Sequence, residues 1–295
     1  MRIAVTGTTG QVVTSLLERG PGAGHEVIAV GRPELDLADP ATILPALQAA
    51  RPDAMVSAAA WTAVDKAESE AEAAHAINAT GAGAVAEAAA RLGVPLVHLS
   101  TDYVFDGLLD RPWREDDSTG PTGVYGATKL AGEQAVLAAQ PNSAILRTAW
   151  VYSPFGANFV GTMLRLAETR DELGVVGDQI GNPTSALDIA DGVLAVCANL
   201  VAGTDPAQRG VFHMTAQGEA SWADFASAIF AASAELGGPT AHVNAITTPD
   251  YPTPATRPAN SRLDCSLIKT AHGVTLPRWQ DALLPVVARL LAAQN

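Results

Sequence analysis

Cysteine, basic charge and long apolar runs are all scarce in this sequence, and each scarcity excludes something. Only Cys197 and Cys265 occur, far apart and in apolar surroundings. That argues against a disulfide framework and leads to the expectation of a reduced, cytoplasmic chain. Lys and Arg number 18 against 31 Asp and Glu, a formal net charge of −13, so no basic field exists to draw in nucleic-acid phosphates. No stretch approaches the roughly 20 apolar residues that cross a bilayer, and no membrane partner is expected. The opening run Ile3-Ala4-Val5 passes directly into a turn at Gly7, too soon for the core of a signal peptide. The six histidines share no helical spacing, so no zinc motif is present and no metal is assigned.

What is present suits a folded chain. Of 295 residues, 48 % are hydrophobic and 17 % charged, enough for a sizeable core in one large domain or two modest ones. Short apolar runs at 3–6, 27–30, 54–58, 96–99 and 145–151 read as buried strands. Helical patterns at 10–19, 40–50, 71–92 and 124–139 alternate with them. This alternation predicts an α/β fold, a doubly wound parallel sheet with helices on both faces. After about residue 152 the pattern loosens, with Gly, Pro, Asn and Thr gathered at 152–158 and 177–185. Pro249, Pro252, Pro254 and Pro258 exclude a helix or central strand over 247–260. Helices are expected again at 187–200, 222–236 and 280–293.

Gly7-Thr8-Thr9-Gly10-Gln11-Val12-Val13 lies between the first strand and the first helix. Glycines there tighten the turn and let backbone N–H groups approach a pyrophosphate at a helix N-terminus. The alternative is a merely structural turn. Val13 replaces the fingerprint's last glycine, so a displaced helix or a compensating small residue is expected. Arg32 follows the second strand; a guanidinium suits a 2′-phosphate, which points to NADPH and leaves NADH open. Its other reading is a solvated side chain. Asp36-Leu37 offers a carboxylate and an apolar surface to an adenine, or else caps the helix that opens at Pro40.

Tyr125 and Lys129 stand four apart on an expected helix and therefore share a face. Tyrosine, with an ordinary pKa of about 10, exchanges protons poorly at neutral pH. A neighbouring ammonium favours the phenolate. Lys129 is thus expected to lower the pKa of Tyr125 and to hydrogen-bond a ribose, making Tyr125 a general acid for a carbonyl under reduction. Tyr-x-x-x-Lys also arises by chance on solvated helices. Context favours the chemical reading: Ser100-Thr101-Asp102 follows an apolar run, at the carboxyl end of a strand where open parallel sheets bind ligands.

With these motifs in this order the chain resembles the extended short-chain dehydrogenase/reductases. A narrower resemblance, to the dTDP-4-dehydrorhamnose reductase family, runs nearly end to end. It is carried by Ala58-Ala59-Ala60-Trp61-Thr62-Ala63-Val64-Asp65-Lys66-Ala67-Glu68, Ser100-Thr101-Asp102-Tyr103-Val104-Phe105-Asp106-Gly107 and Arg147-Thr148-Ala149-Trp150-Val151-Tyr152. Asn158-Phe159, Asp178-Gln179-Ile180-Gly181-Asn182-Pro183-Thr184 and Arg257-Pro258-Ala259-Asn260-Ser261-Arg262-Leu263 extend it.

The resemblance implies a Rossmann-type NAD(P)-binding domain over 1–150, rejoined by segments near 185–215, and a smaller, mainly substrate-binding portion over 151–295. It implies that Gly7, Gly10, Gln11 and Val12 meet the cofactor's pyrophosphate. Asp36 and Leu37 would lie near its adenosine, and Ala60, Trp61 and Thr62 along its middle. Thr101 and Asp102 would contact the sugar of a nucleotide-sugar substrate. Trp150 would pack on the deoxysugar, Asn158 would join the substrate pocket, and Arg262 would face the diphosphate. Tyr125 would give the proton, Lys129 would bind the nicotinamide ribose, and Thr101 would position the oxygen as hydride reaches C4 of dTDP-4-dehydro-β-L-rhamnose. A related nucleotide-deoxysugar 4-ketoreductase is the alternative activity. Non-catalytic NADP-binding regulatory subunits share the fold, but they have no need of the proton-transfer pair. A homodimer and bound magnesium enter as family expectations only.

Some residues depart from the family pattern or stand aside from it. Ser57 stands where the family usually has Asn before three alanines, and Gly31-Arg32 varies where cofactor preference is set. His98 reads as a buried strand histidine. Asn78-Ala79-Thr80 matches a glycosylation sequon that a cytosolic chain would not use. Glu68, Glu70 and Glu72 with Lys66 read as a solvated helix start.

Overall fold

The apolar runs become β1 (Arg2–Thr6), β2 (Glu26–Val30), β3 (Ala54–Ser57), β4 (Leu96–Thr101) and β5 (Ser143–Thr148) in a computed structural model that describes residues 1–293. Gln294 and Asn295, at the end of the expected C-terminal portion, lie outside the described residues. Between the strands run α1 (Gln11–Gly22), α2 (Pro40–Ala50), α3 (Val64–Ala67), α4 (Ala71–His75), α5 (Ala82–Leu92) and α6 (Val124–Ala139). β6 (Val151–Tyr152), α7 (Phe159–Ala167), β7 (Glu172–Val176), β8 (Ile180–Gly181), β9 (Thr184–Ser185) and α8 (Ala186–Ala202) follow. The chain ends with β10 (Gly210–His213), β11 (Ala220–Ser221), α9 (Trp222–Glu235), β12 (His242–Ile246), α10 (Ser266–His272) and α11 (Trp279–Ala292).

Six strands form one parallel sheet in the order β10-β5-β4-β3-β1-β2. The connection reverses direction across β1 and β3, which opens a crevice at their carboxyl ends. Both faces of the sheet are covered, which is why the strands are apolar almost throughout. Ile3, Val5, Val56, Val97 and Leu146 pack against Leu16 of α1 and Ile189, Val193 and Val196 of α8. Ala4, Met55, Leu96 and Ile145 meet Ile43 and Leu47 of α2, Val85 of α5 and Val136 of α6 on the other face. A separate core around Tyr152, Phe225 and Trp279 joins α7, α9 and α11.

Three elements differ from the sequence reading. The run expected as one strand over 145–151 is broken at Ala149 and Trp150, and Trp150 has φ +48. The helix expected over 71–92 contains a π-helical stretch, Ala76–Gly81, whose wider turn displaces the side chains after it. β10 was not legible as a strand, yet it pairs with β5 and completes the sheet. No helix among the described residues is long and apolar enough to cross a membrane.

Candidate active site

The phosphate turn has the conformation its glycines permit. Gly7 has φ +98, and its N–H donates to Val30 O at 2.8 Å. Val13 is buried, and its Cγ2 lies 3.4 Å from where a Cβ on Gly7 would sit, an ordinary contact, so the positive φ of Gly7 and not crowding by Val13 is what calls for glycine there. The N-terminus of α1 has no side-chain cap, which leaves its first amides available to an anion. Gln11 Oε1 accepts from Ser153 Oγ at 2.7 Å, tying the turn to the loop after β6. These features fit a dinucleotide pyrophosphate. At the end of β2, Arg32 is exposed, while Asp36 accepts from Ala38 N in a local turn. The cap of α2 is Asp39, which accepts from Ala41 N, and not Asp36.

The segment after β3 is held by two polar side chains. Thr6 Oγ1 accepts from Ala58 N and Ala59 N, both at 3.0 Å. Asn78 Oδ1 accepts from Trp61 N at 2.8 Å, and Asn78 Nδ2 donates to Trp61 O and to Thr128 Oγ1. Asn78 is thus a buried clamp across Trp61 and α6, set there by the π-helical turn, and not an idle sequon. Glu68 also does more than face solvent: its Oε1 accepts from Val124 N at 2.8 Å and supplies the cap that Gly123 lacks at α6. Ser57 is buried, and its hydroxyl finds no partner among the described residues.

Tyr125, Lys129 and Thr101 converge where α6 crosses the end of β4. Thr101 Oγ1 donates to Asp102 Oδ1 at 3.0 Å, accepts from Tyr103 N at 3.2 Å and lies beside the Tyr125 hydroxyl. Tyr103 meets Tyr125 edge-on with ring centroids 5.4 Å apart. Lys129 Nζ is buried and donates to Leu99 O at 2.7 Å. Contrary to the sequence expectation, Tyr125 is not drawn toward phenolate in this state. Desolvation pushes its pKa up to about 12, opposed by the Thr101 hydroxyl beside it. Lys129 is itself pushed down to about 8 by burial, with Glu133 opposing. Asp102 is raised to about 6 by burial, although Thr101 Oγ1 donates to its Oδ1. His98 is buried with both ring nitrogens unpartnered among the described residues, and desolvation keeps it neutral.

Beneath the site, Glu133 takes hydrogen bonds from Ser100 Oγ (2.5 Å), Arg147 Nε (2.9 Å) and Arg147 Nη2 (2.7 Å), locking α6 to β4 and β5. Sequence reading missed this triad because its members are read singly as strand or helix residues.

One cavity of about 1030 Å³ gathers the turn from Gly7 to Val12, Arg32, Asp36 and Leu37, the segment Ala60 to Thr62, Thr101 and Asp102, Tyr125, Lys129 and Trp150. Asn158 and Arg262 do not line it. Asn158 caps α7 by accepting from Gly161 N, and its Nδ2 donates to Ser153 O. Arg262 is consumed by Asn260 Oδ1 (2.8 Å), Glu219 Oε2 (3.2 Å) and Asp110 O (2.7 Å). Among the described residues no group of three or more His, Cys, Asp or Glu is placed to hold a metal ion.

A glycine turn opening the first helix, a strand-end hydroxyl and a Tyr-x-x-x-Lys pair on a doubly wound sheet define the class of extended short-chain oxidoreductases. The family model described as the RmlD substrate binding domain matches residues 1–292, and the chain belongs to that family. It is 50 % identical over 291 residues to dTDP-4-dehydrorhamnose reductase of Sinorhizobium fredii (strain NBRC 101917 / NGR234), covering 99 % of this chain and 98 % of that one. The crystal structure of a dTDP-4-dehydrorhamnose reductase from Clostridium acetobutylicum ATCC 824 matches with a TM-score of 0.90 at 38 % identity, covering 99 % and 100 % of the two chains. That of dTDP-4-dehydrorhamnose reductase from Bacillus anthracis str. Ames in complex with NADP matches at 0.89 and 32 % identity, covering 97 % and 98 %.

Proposed function

We propose that this protein reduces the C4 keto group of dTDP-4-dehydro-β-L-rhamnose to give dTDP-L-rhamnose, the last step of dTDP-rhamnose biosynthesis, with NADPH preferred. The meeting of Thr101, Tyr125 and Lys129 in the same cavity as the phosphate turn carries this reading. The 50 % identical relative named as this reductase supports it. A bound nicotinamide supplies the hydride. The turn from Gly7 to Val12 would hold its pyrophosphate and Lys129 its ribose. Arg32, exposed and with no side-chain partner among the described residues, would meet a 2′-phosphate.

The chain's own residues supply the proton. Tyr125 remains a neutral phenol because its surroundings disfavour phenolate, so it carries a proton to give to the oxygen at C4. The Thr101 hydroxyl positions that oxygen and stabilises the charge that develops on it. Segments 1–150, with returns near 185–215, would serve the cofactor, and 151–295 mainly the sugar nucleotide.

Spectrophotometric NADPH oxidation with enzymatically generated dTDP-4-dehydro-β-L-rhamnose tests the proposal. Tyr125→Phe should lower kcat by about 10²–10⁴-fold while NADPH still binds, and NADH should be oxidised more slowly. Wild-type protein that binds NADPH without oxidising it in the presence of this substrate would overturn the reading.

A further inference from the structure

Trp150 lines the cavity that contains Thr101 and Tyr125. Its φ of +48 lies in the left-handed region, which a bulky residue adopts only where its surroundings impose it. Those surroundings are specific. Trp150 O accepts from Thr184 N at 3.1 Å, which fixes the backbone between β5 and β6. The Trp150 ring stacks on Trp222 with centroids 3.6 Å apart and planes within 9° of parallel. A Cβ on Gly181 would fall 2.5 Å from Trp150 Cε2, so only glycine leaves room for the ring in this position.

Trp222 is braced in turn. Its ring contacts Phe159 (4.6 Å between centroids) and Phe225 (6.5 Å), and it opens α9 directly after Ser221, whose capping box with Asp224 fixes that helix end. Neither Trp222 nor Gly181 lines the cavity.

We propose that Trp222 and Gly181 are positioning residues, which clamp the Trp150 indole between them and so fix the edge that it presents to the cavity against the substrate's deoxysugar. The proposal depends on the sugar-nucleotide reading above for the identity of the ligand. Trp222 and Gly181 act through Trp150 and need touch neither substrate nor cofactor. They connect the core of α7, α9 and α11 to the reacting end of the pocket.

The test is equilibrium binding of dTDP-L-rhamnose and of dTDP by calorimetry, with circular dichroism of the same samples. Trp222→Ala should weaken dTDP-L-rhamnose about tenfold, the size of one aromatic stacking interaction, and leave dTDP and NADPH unchanged. Trp222→Phe keeps a planar partner and should restore the affinity for dTDP-L-rhamnose, although the exciton couplet of two stacked indoles is lost. Trp222→Leu, apolar but not planar, should behave like Trp222→Ala, and Gly181→Ala should weaken the sugar nucleotide selectively. Equal affinity in Trp222→Ala and wild type would overturn the proposal. So would loss of dTDP and dTDP-L-rhamnose in parallel, or failure of Trp222→Phe to restore binding. If wild type binds no dTDP-L-rhamnose, the substrate reading falls and this proposal falls with it.

Discussion

Burial disfavours the charged form of each reactive residue of the site: Tyr125 is raised to about 12, Lys129 lowered to about 8 and Asp102 raised to about 6. Asp102 is the clearest case because one carboxylate oxygen, Oδ2, is buried without a partner among the described residues. A carboxyl with its folded pKa above the ordinary 3.8 takes up a proton more readily folded than unfolded. Stability therefore falls as pH rises from about 4 through 6, and above that the full cost, about 3 kcal/mol, is incurred. Asp102→Asn removes the charge and keeps the shape. Its Tm should exceed that of wild type at neutral pH, with the difference vanishing near pH 4, while the affinity for the sugar nucleotide falls. A neutral-pH Tm at or below that of wild type would refute this account. The residues around Asp102 were legible in sequence because they sit in short contiguous motifs at strand ends. Arg262 was not, since its partners Glu219, Asp110 and Asn260 come from separate loops that only the fold brings together.

Among the elements, α2 and α6 coincide with their sequence patterns, because Pro40 marks the start of one and a polar, glycine-bearing stretch precedes the other. The long helix over 71–92 was misread because periodicity cannot reveal one extra residue in a turn, and that residue is what aims Asn78 at Trp61. β10 escaped because a four-residue strand that ends in a buried histidine offers too little apolar signal. The seat of α6 depends on a contact that sequence cannot show. A Cβ on Gly126 would lie 2.1 Å from Tyr103 O, so Gly126→Ala must push the helix away from the turn 102–104 that follows β4. Tyr125 rides on the neighbouring position. The expected result is a kcat lower by about a hundredfold, as for an ångström-scale misplacement of a catalytic group, and a loss of about 1–3 kcal/mol in stability from overpacking. Ala127→Ser, on the exposed side of the same turn, should change neither. Steady-state kinetics and urea unfolding of both variants provide the check, and wild-type kcat in Gly126→Ala would show that the helix position does not govern the chemistry.

At the scale of the whole molecule, the change in composition near residue 150 does not mark the end of a core. The cluster under one face of the sheet joins Ile3, Val5, Val56, Val97 and Leu146 to Ile189, Val193, Val196, Phe212, Ile268 and Leu276. β5 also takes its outer neighbour, β10, from the later half of the chain. A fragment ending at Tyr152 would keep the phosphate turn, Thr101, Tyr125 and Lys129. It would also expose one apolar face of its sheet and leave β5 as an unpaired edge, which invites association with other chains. Such a fragment is expected to aggregate or remain unfolded and to bind no NADPH, whereas the full chain should unfold in one transition. Saturating NADPH should raise that transition, by about 2.7 kcal/mol at a hundred times Kd. Size-exclusion chromatography, far-ultraviolet circular dichroism and NADPH titration of the fragment decide the matter. A monomeric fragment with native-like helix content and NADPH affinity would show that the cofactor half folds by itself and that α8 and β10 merely cover it.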